Sequence, residues 1–307
     1  MIGSDTNSEN QWDNYWNNDG AEGEVFVSAS GAAHPELADW WRQQFAPLST
    51  GDMVDLACGA GSVFAHLPDH HDHRLFGADI SSEALNLMRK RIPGVTTTVC
   101  SAHDLPYEDQ QFDVVCSQFG IEYAGALAFE EAARVVKPGG RLMVIAHYAH
   151  GQIDARNREH REHAHTIVSS NFIDKAIKLT AASYAQHEQR FRQATEEFVP
   201  AERQLAAACE ALPEGIHFHL YGGFRQLFEQ RRQYDADDII TWLQQMRDDV
   251  AENLQRLEHM CRAASDQDEM SAIINELEKR NCREINCEAL TLEQHKLPLA
   301  WALTARR

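Results

Sequence analysis

The chain has 307 residues, and its 43% hydrophobic content is enough to bury one large core or two smaller ones. Its formal charge of −19, from 47 acidic against 28 basic side chains, excludes the broad basic surface that nucleic-acid-binding proteins need. No apolar run approaches the roughly 20 residues of a membrane-spanning helix, and seven scattered cysteines without a CxxC pair predict reduced thiols in a cytoplasmic protein.

The first predicted element is an amino-terminal helix with aromatic side chains on one face. The stretch QWDNYW places Trp12, Tyr15 and Trp16 at helical spacings of three and four residues. The residues before it are polar and acidic rather than basic and then apolar, so a secretory signal is not predicted. We assign residues 1–50 to an amino-terminal helical cap.

Residues 51–150 alternate short apolar runs with amphipathic stretches, the pattern of successive β-α units around a parallel sheet. Two helices are predicted between the strands: residues 81–92, with Ser81 or Ser82 as N-cap, and residues 125–136. The second helix ends at a predicted KPGG turn, in which Gly139 or Gly140 takes a positive φ. The predicted strands are 53–57, 75–79, 96–101, 114–118 and 142–147.

Residues 151–280 change to long helical patterns, and residues 281–307 return to strand-like composition around an EQHK turn. We therefore expect a helical insertion followed by a terminal β-hairpin that rejoins the sheet. An apolar stripe in the insertion predicts a helix packed in a core, with a seam between two copies of the chain as the alternative. Its residues are Ile239, Leu243, Met246, Val250, Leu254, Leu257 and Cys261. Within the insertion, the stretch YGGF at 221–224 is interpreted as a flexible aromatic loop.

The stretch VDLACGAGS, residues 54–62, predicts a strand that runs into a glycine-bearing turn, as many nucleotide pockets begin. A dinucleotide fingerprint needs a third small residue, but Phe64 stands there after Gly59 and Gly61, which disfavours NAD. No Lys-Ser/Thr pair follows, which excludes a triphosphate-binding P-loop. The remaining class is a nucleoside without phosphates. Asp79, at the end of the second strand, is placed to accept hydrogen bonds from both ribose hydroxyls.

Five features follow one another in the order of a known family: residues 55–61, Asp79, AHDLPY, FDVV and VVKPGGRLMV. Together they resemble the class I S-adenosylmethionine (SAM)-dependent methyltransferases, particularly their small-molecule, ubiquinone-biosynthesis-like branch. The resemblance covers residues 51–147 and the terminal hairpin. It implies an α/β, Rossmann-like sheet of seven mostly parallel strands with an antiparallel last strand. The helical insertion then lies between strand 5 and strands 6 and 7, where it covers the acceptor or mediates dimerisation.

The resemblance also implies which residues bind the cofactor. Asp79 binds the ribose, Ile80 packs against adenine, and the aromatic face of the amino-terminal helix shields the sulfonium. Ala57 stands where the family often has its first glycine, and we expect an ordinary φ there. Ser101 stands where the family usually has an aspartate, although its hydroxyl also accepts hydrogen bonds. The implied cofactor-binding set is Asp55, Ala57, Gly59, Gly61, Asp79, Ile80, Ser101, Ala102, His103, Gln118 and Trp16.

The implied reaction is an in-line displacement, in which a base is needed only if the acceptor must lose a proton. His147 is the first candidate for that base, followed by Glu122 and His103. Phe119 is expected to lie under the reactive methyl group, with the YGGF stretch a candidate for the acceptor pocket.

The expected partner is a small-molecule acceptor, with no nucleic acid and no membrane. The stretch SQFG lacks the prolines typical of enzymes that methylate nucleic-acid amino groups. The histidine-rich stretches HHDH and HREHAH lack the spacing of a closed zinc site, so no metal is predicted. Two alternatives stay open: a catalytically inactive SAM-binding protein that regulates a partner through its insertion, and a nicotinamide-dependent dehydrogenase.

Overall fold

The computed structural model describes residues 12–13, 15–16, 34–185, 187–293 and 295–307. The chain divides into two compact units. The first comprises the residues up to Asp154 together with Arg262–Arg307, and the second is Ala155–Cys261.

The first unit is built on one sheet of seven strands within the described residues, in the order β3-β2-β1-β4-β5-β7-β6. The first five strands are parallel, whereas β7 runs antiparallel to both β5 and β6. The predicted Rossmann-like sheet and its terminal hairpin are therefore confirmed. The strands are β1 (Asp52–Leu56), β2 (Arg74–Asp79), β3 (Thr96–Val99), β4 (Phe112–Gln118), β5 (Val136–His147), β6 (Arg283–Leu290) and β7 (Ala300–Arg306).

Helices cover the sheet of the first unit. They include α1 (Pro35–Phe45), α2 (Ser82–Arg91) and α3 (Ala126–Val135). The predicted cap of α2 is observed, because the Ser81 hydroxyl accepts a hydrogen bond from the Ala84 backbone N–H at 3.1 Å.

The predicted positive φ is confirmed at Gly139, but the KPGG residues do not form a separate turn. Strand β5 begins at Val136, directly after α3, and the four residues lie inside it. The register with β4 shifts between the pairs Phe112–Val136 and Val114–Arg141, and Gly139 has φ +81°. The glycine therefore forms an irregularity within a paired strand, because a positive φ is accommodated in a bulge as readily as in a turn.

The second unit is helical. Its helices are most of α4 (Gln152–Ser169), α5 (Phe172–Tyr184), α6 (Glu188–Ala211), α7 (Ile216–Glu229) and most of α8 (Ala236–Ala263). The stripe on α8 is buried in the core of this unit, with Ile239, Leu243, Met246 and Val250 packed among residues of α5, α6 and α7. The interpretation of residues 221–224 as a loop is wrong, because they lie inside α7, where Phe224 is buried in the same core.

Residues 262–279 belong to the first unit, although the sequence places them in the insertion. Helix α9 (Gln267–Lys279) packs Met270, Ile273 and Leu277 into the core of the sheet. Among the described residues, no helix has both the length and the apolar character needed to cross a membrane.

Candidate functional site

A turn rich in small residues follows β1 at the carboxyl edge of the parallel strands. Gly59 and Gly61 have φ of +51° and +81°, conformations that glycine adopts without steric cost. Ala57 has φ +50°, so the expectation of an ordinary φ at this position is wrong. A left-handed alanine costs roughly 1–2 kcal/mol. Gly120, after β4, packs so closely on Ala57 that an added Cβ would lie 2.7 Å from both its Cβ and its carbonyl oxygen.

Asp79, the last residue of β2, holds this turn in place. Its Oδ2 accepts a hydrogen bond from the Gly59 backbone N–H at 2.8 Å, and its Oδ1 accepts one from the Ser81 N–H at 2.8 Å. Burial raises the pKa of Asp79 to about 6, although these hydrogen bonds oppose the shift. The side chain is therefore a buried acceptor that two backbone donors fix in position.

Asp55 lies near Asp79 with no exposed surface. Neither of its carboxylate oxygens has a hydrogen-bond partner among the described residues. Burial, and then the negative charge of Asp79, raise the pKa of Asp55 well above its usual value. An unpartnered buried carboxyl is costly unless a ligand or water completes it. The pair of acidic side chains therefore fits a positively charged ligand group.

The aromatic face of the amino-terminal helical residues lies on the glycine turn. Trp16 is buried, and its ring is so close to Gly59 that an added Cβ would lie 2.4 Å from Cζ2. Its ring packs edge-to-face with Tyr15 at 5.2 Å. Sequence reasoning missed Asp13, which accepts a hydrogen bond from the Ser81 hydroxyl at 2.5 Å. The one sequence feature that could have indicated Asp13 is its position directly after Trp12, in the same QWDNYW stretch.

The residues expected around adenine lie on the far side of the site. The Ser101 hydroxyl lies 2.7 Å from Nδ1 of His103, and both residues are half-buried, whereas Ala102 is buried. This loop follows β3, which is separated from β5 by β2, β1 and β4. The structure therefore does not bring His103 together with His147.

Gln118, at the end of β4, is hydrogen-bonded at both ends of its amide. Its Oε1 accepts from the Trp41 indole N–H at 2.5 Å, and its Nε2 donates to the Ser62 hydroxyl at 3.4 Å. Gln118 thus connects α1 to the glycine turn. The sequence contains no local signal for Trp41, because the contact spans 77 positions.

His147 and Glu122 form a buried pair. His147 is the last residue of β5, and Glu122 lies in the short helical segment that follows β4. Oε1 of Glu122 lies 2.7 Å from Nδ1 of His147 and accepts a hydrogen bond from the His147 backbone N–H at 2.9 Å. Their side chains are 1% and 2% exposed. Within the described residues, Nε2 of His147 and Oε2 of Glu122 have no hydrogen-bond partner. The rings of Phe119 and Tyr123 lie 4.7 and 5.7 Å from the imidazole.

Along the described ranges, no group of three or more His, Cys, Asp or Glu side chains has a metal-binding arrangement. In the histidine-rich stretches, His73 accepts a hydrogen bond from the Gly51 N–H at 3.2 Å, and His163 stacks on His217 at 5.2 Å.

Comparisons with known proteins agree with this geometry. Residues 54–144 match a family described as "Methyltransferase domain". The chain is 30% identical over 112 residues to an uncharacterized methyltransferase of Schizosaccharomyces pombe, covering 36% of this chain and 45% of the relative. It is 35% identical over 104 residues to a demethylmenaquinone methyltransferase of Clavibacter sepedonicus, covering 32% and 42%. The matches therefore span less than half the length of these relatives.

Among solved structures, the chain is similar to the geranyl diphosphate C-methyltransferase of Streptomyces coelicolor. The similarity has 17% identity and a TM-score of 0.37, over 48% of this chain and 66% of the other.

Proposed function

Because the domain over residues 54–144 belongs to the class I SAM-dependent methyltransferase family, we propose that this chain binds SAM and transfers its methyl group to a small-molecule acceptor. The observation that carries the proposal is the unpartnered carboxyl of Asp55, buried close to Asp79 at the glycine turn. Bound SAM supplies a methyl group attached to a positively charged sulfur. When the methyl group is transferred, the rest of the cofactor leaves as a neutral thioether.

Each part of the cofactor has a matching group in this site. Asp79 accepts the ribose hydroxyls, and the carboxyl of Asp55 receives the ammonium of the methionine part. Gly59 and Gly61 let the backbone approach that part closely. The adenine lies between Ile80 and residues 101–103. Trp16, on the glycine turn, covers the sulfonium side, where an aromatic face attracts a cation by about 0.5–2 kcal/mol.

A small acceptor is supported by two independent observations. The net charge of −19 repels a phosphate backbone. The names of several similar proteins refer to methylation of a small molecule, demethylmenaquinone. Strand β5 ends at the carboxyl edge of the parallel strands, where ligands of open α/β sheets bind, and we place the acceptor at this edge. We also place the protein in the cytoplasm, because none of its seven cysteines forms a disulfide.

The experiment combines binding with transfer. Isothermal titration first measures SAM binding. Methyl-labelled SAM is then incubated with the protein and a cell extract, and label is counted separately in the small-molecule and macromolecular fractions. We expect binding, and label in the small-molecule fraction. Binding without labelled product would favour the inactive regulator, and label only in macromolecules would contradict a small acceptor. An increase in melting temperature with NAD but not with SAM would favour the dehydrogenase.

A further inference from the structure

We propose that His147 and Glu122 act as a general-base pair, and that the acceptor is a neutral molecule whose phenolic or enolic hydroxyl gives its proton to His147. The inference rests on the proposed methyl transfer and names the substrate class of that site. It is carried by two buried side chains in contact, each with a polar atom that has no partner within the described residues.

The contacts of Glu122 determine which nitrogen of His147 is basic. Oε1 of Glu122 lies 2.7 Å from Nδ1 of the ring and also accepts from the backbone N–H of the same residue. A carboxylate oxygen is an acceptor, so Nδ1 carries the ring proton. The lone pair of the neutral imidazole is then on Nε2, the atom without a partner. Glu122 is a positioning residue, because it sets the tautomer and orientation of His147 and stabilises the charge that forms on protonation.

The pair lies beside the proposed cofactor site. Phe119 and Gly120 follow β4; Phe119 contacts the ring of His147, and Gly120 packs against Ala57 in the glycine turn. His147 ends β5, which pairs directly with β4. We therefore place the acceptor hydroxyl between this base and the methyl group.

The surroundings of His147 favour a flat, neutral acceptor. Phe119 and Tyr123 place aromatic rings against the imidazole, and Trp12 packs edge-to-face on Tyr123 at 5.2 Å. A hydroxyl compound enters this buried region without a charge to desolvate. An ammonium acceptor would have to lose its hydration shell first.

The groups already named account for every bond, electron pair and proton in the proposed transfer. The O–H bond of the acceptor breaks, and its proton passes to Nε2 of His147. The electron pair left on oxygen forms the new bond to the methyl carbon, while the carbon–sulfur bond breaks with its pair on sulfur. The products are a methyl ether, a neutral thioether and a histidinium next to Glu122. The proton then returns to solvent.

The test compares two hydroxyl probes of different acidity, catechol and 4-nitrophenol, with benzylamine as the amine probe. At mildly alkaline pH, 4-nitrophenol is largely ionised and needs no base, whereas catechol is largely protonated. The main variant is His147→Asn, whose amide can still donate to Glu122 but has no basic nitrogen. His150→Asn, an exposed histidine three positions away, is the matched control. Glu122→Gln and Glu122→Asp test the positioning role.

We expect His147→Asn to lower the catechol rate by about 10²–10⁴-fold, the usual contribution of a general base, and the 4-nitrophenol rate by much less. Glu122→Gln should reduce the catechol rate less than His147→Asn does. The catechol rate of Glu122→Asp should lie between those of Glu122→Gln and the wild type. Independently of activity, ¹⁵N NMR of the cofactor-free protein should place the ring proton of His147 on Nδ1, and Glu122→Gln should shift this tautomer balance.

Titration of every variant with SAM separates the two proposals. If the wild type binds SAM but methylates only benzylamine or none of the probes, this inference is overturned and the proposed function stands. Equal losses with both hydroxyl probes, or a His147→Asn rate equal to that of His150→Asn, would also overturn it. A ring proton on Nε2 would do the same. Failure of the wild type to bind SAM would remove the proposed function, and this inference with it.

Discussion

The backbone N–H of Gly59 donates a 2.8 Å hydrogen bond to the carboxylate of Asp79, which joins the turn after β1 to the end of β2. Each oxygen of Asp79 has one backbone donor, from Gly59 or Ser81. A carboxylate has about four acceptor positions, so Asp79 keeps acceptor capacity for the ribose. The residue that shapes the turn is therefore also equipped to bind the sugar.

Asp79→Asn should weaken SAM binding. The amide retains one oxygen and no charge, and hydrogen bonds to charged groups contribute about 1.5–3 kcal/mol each. We expect the Kd to increase roughly 10- to 100-fold, measured by isothermal titration. Asp69→Asn, a substitution at an exposed acidic residue, should leave the Kd unchanged. Equal affinities of Asp79→Asn and wild type would contradict the ribose assignment.

The cofactor-free protein should lose stability as pH rises through the titration range of Asp79. The folded-state pKa is raised from 3.8 to about 6, so the unfolded chain binds fewer protons than the folded one between these values. The free energy of unfolding therefore falls with increasing pH, by up to about 3 kcal/mol from this group. Urea unfolding of wild type and Asp79→Asn across this range isolates the effect. A wild-type minus variant difference that is constant or rises with pH would refute it.

Two glycine-to-alanine substitutions should change stability in opposite directions. In Gly120→Ala, the new Cβ would lie 2.7 Å from the backbone oxygen of Ala57, and overpacking of this kind costs about 1–3 kcal/mol. Gly222, in α7, has no atom within 4 Å of an added Cβ. Gly222→Ala should therefore stabilise by about 0.5–1 kcal/mol through helix propensity. Urea unfolding measures both, and a stabilising Gly120→Ala would show that the contact between Gly120 and Ala57 is not tight.

Trp16→Leu should distinguish sulfonium shielding from simple docking of the amino-terminal helix. A cation–π attraction acts on the positively charged cofactor but not on its neutral product, S-adenosylhomocysteine. The variant should therefore lose more affinity for SAM than for the product, by a factor of about 2–30. Titrations with both ligands provide the comparison. Equal losses would indicate that Trp16 only packs on the glycine turn.

Most of the sheet could be predicted from the sequence, because buried parallel strands are short apolar runs with clear boundaries. The prediction failed at glycines that lie inside a strand or a helix, where the sequence pattern had indicated a turn or a loop. Gly139 lies at a register irregularity inside strand β5, and Gly223 in α7 makes room for Trp242, whose Cζ2 would lie 2.6 Å from an added Cβ. A local pattern does not distinguish these uses from a turn or a loop, because the deciding contacts come from distant residues.

Some residues of the candidate site could likewise be predicted from local sequence, whereas others depend on contacts with distant residues. Asp55 and Asp79 could be predicted, because each occupies a fixed place at a strand end next to the glycine turn. The sequence also indicated His147 and Glu122 as separate candidates. Their contact across 25 positions depends on strand register, which residue types do not reveal. Asp13 and Trp41 were missed because they act through hydrogen bonds to residues far away in the sequence: Asp13 to Ser81 and Glu83, and Trp41 to Gln118.

The most direct measurement is a crystal structure of the protein grown with SAM. The account predicts the ribose hydroxyls on the carboxylate of Asp79 and the ammonium on that of Asp55, with the methionine part along the turn at Gly59 and Gly61. An empty cleft, or a ligand bound elsewhere with Asp79 still bonded only to Gly59 and Ser81, would contradict it.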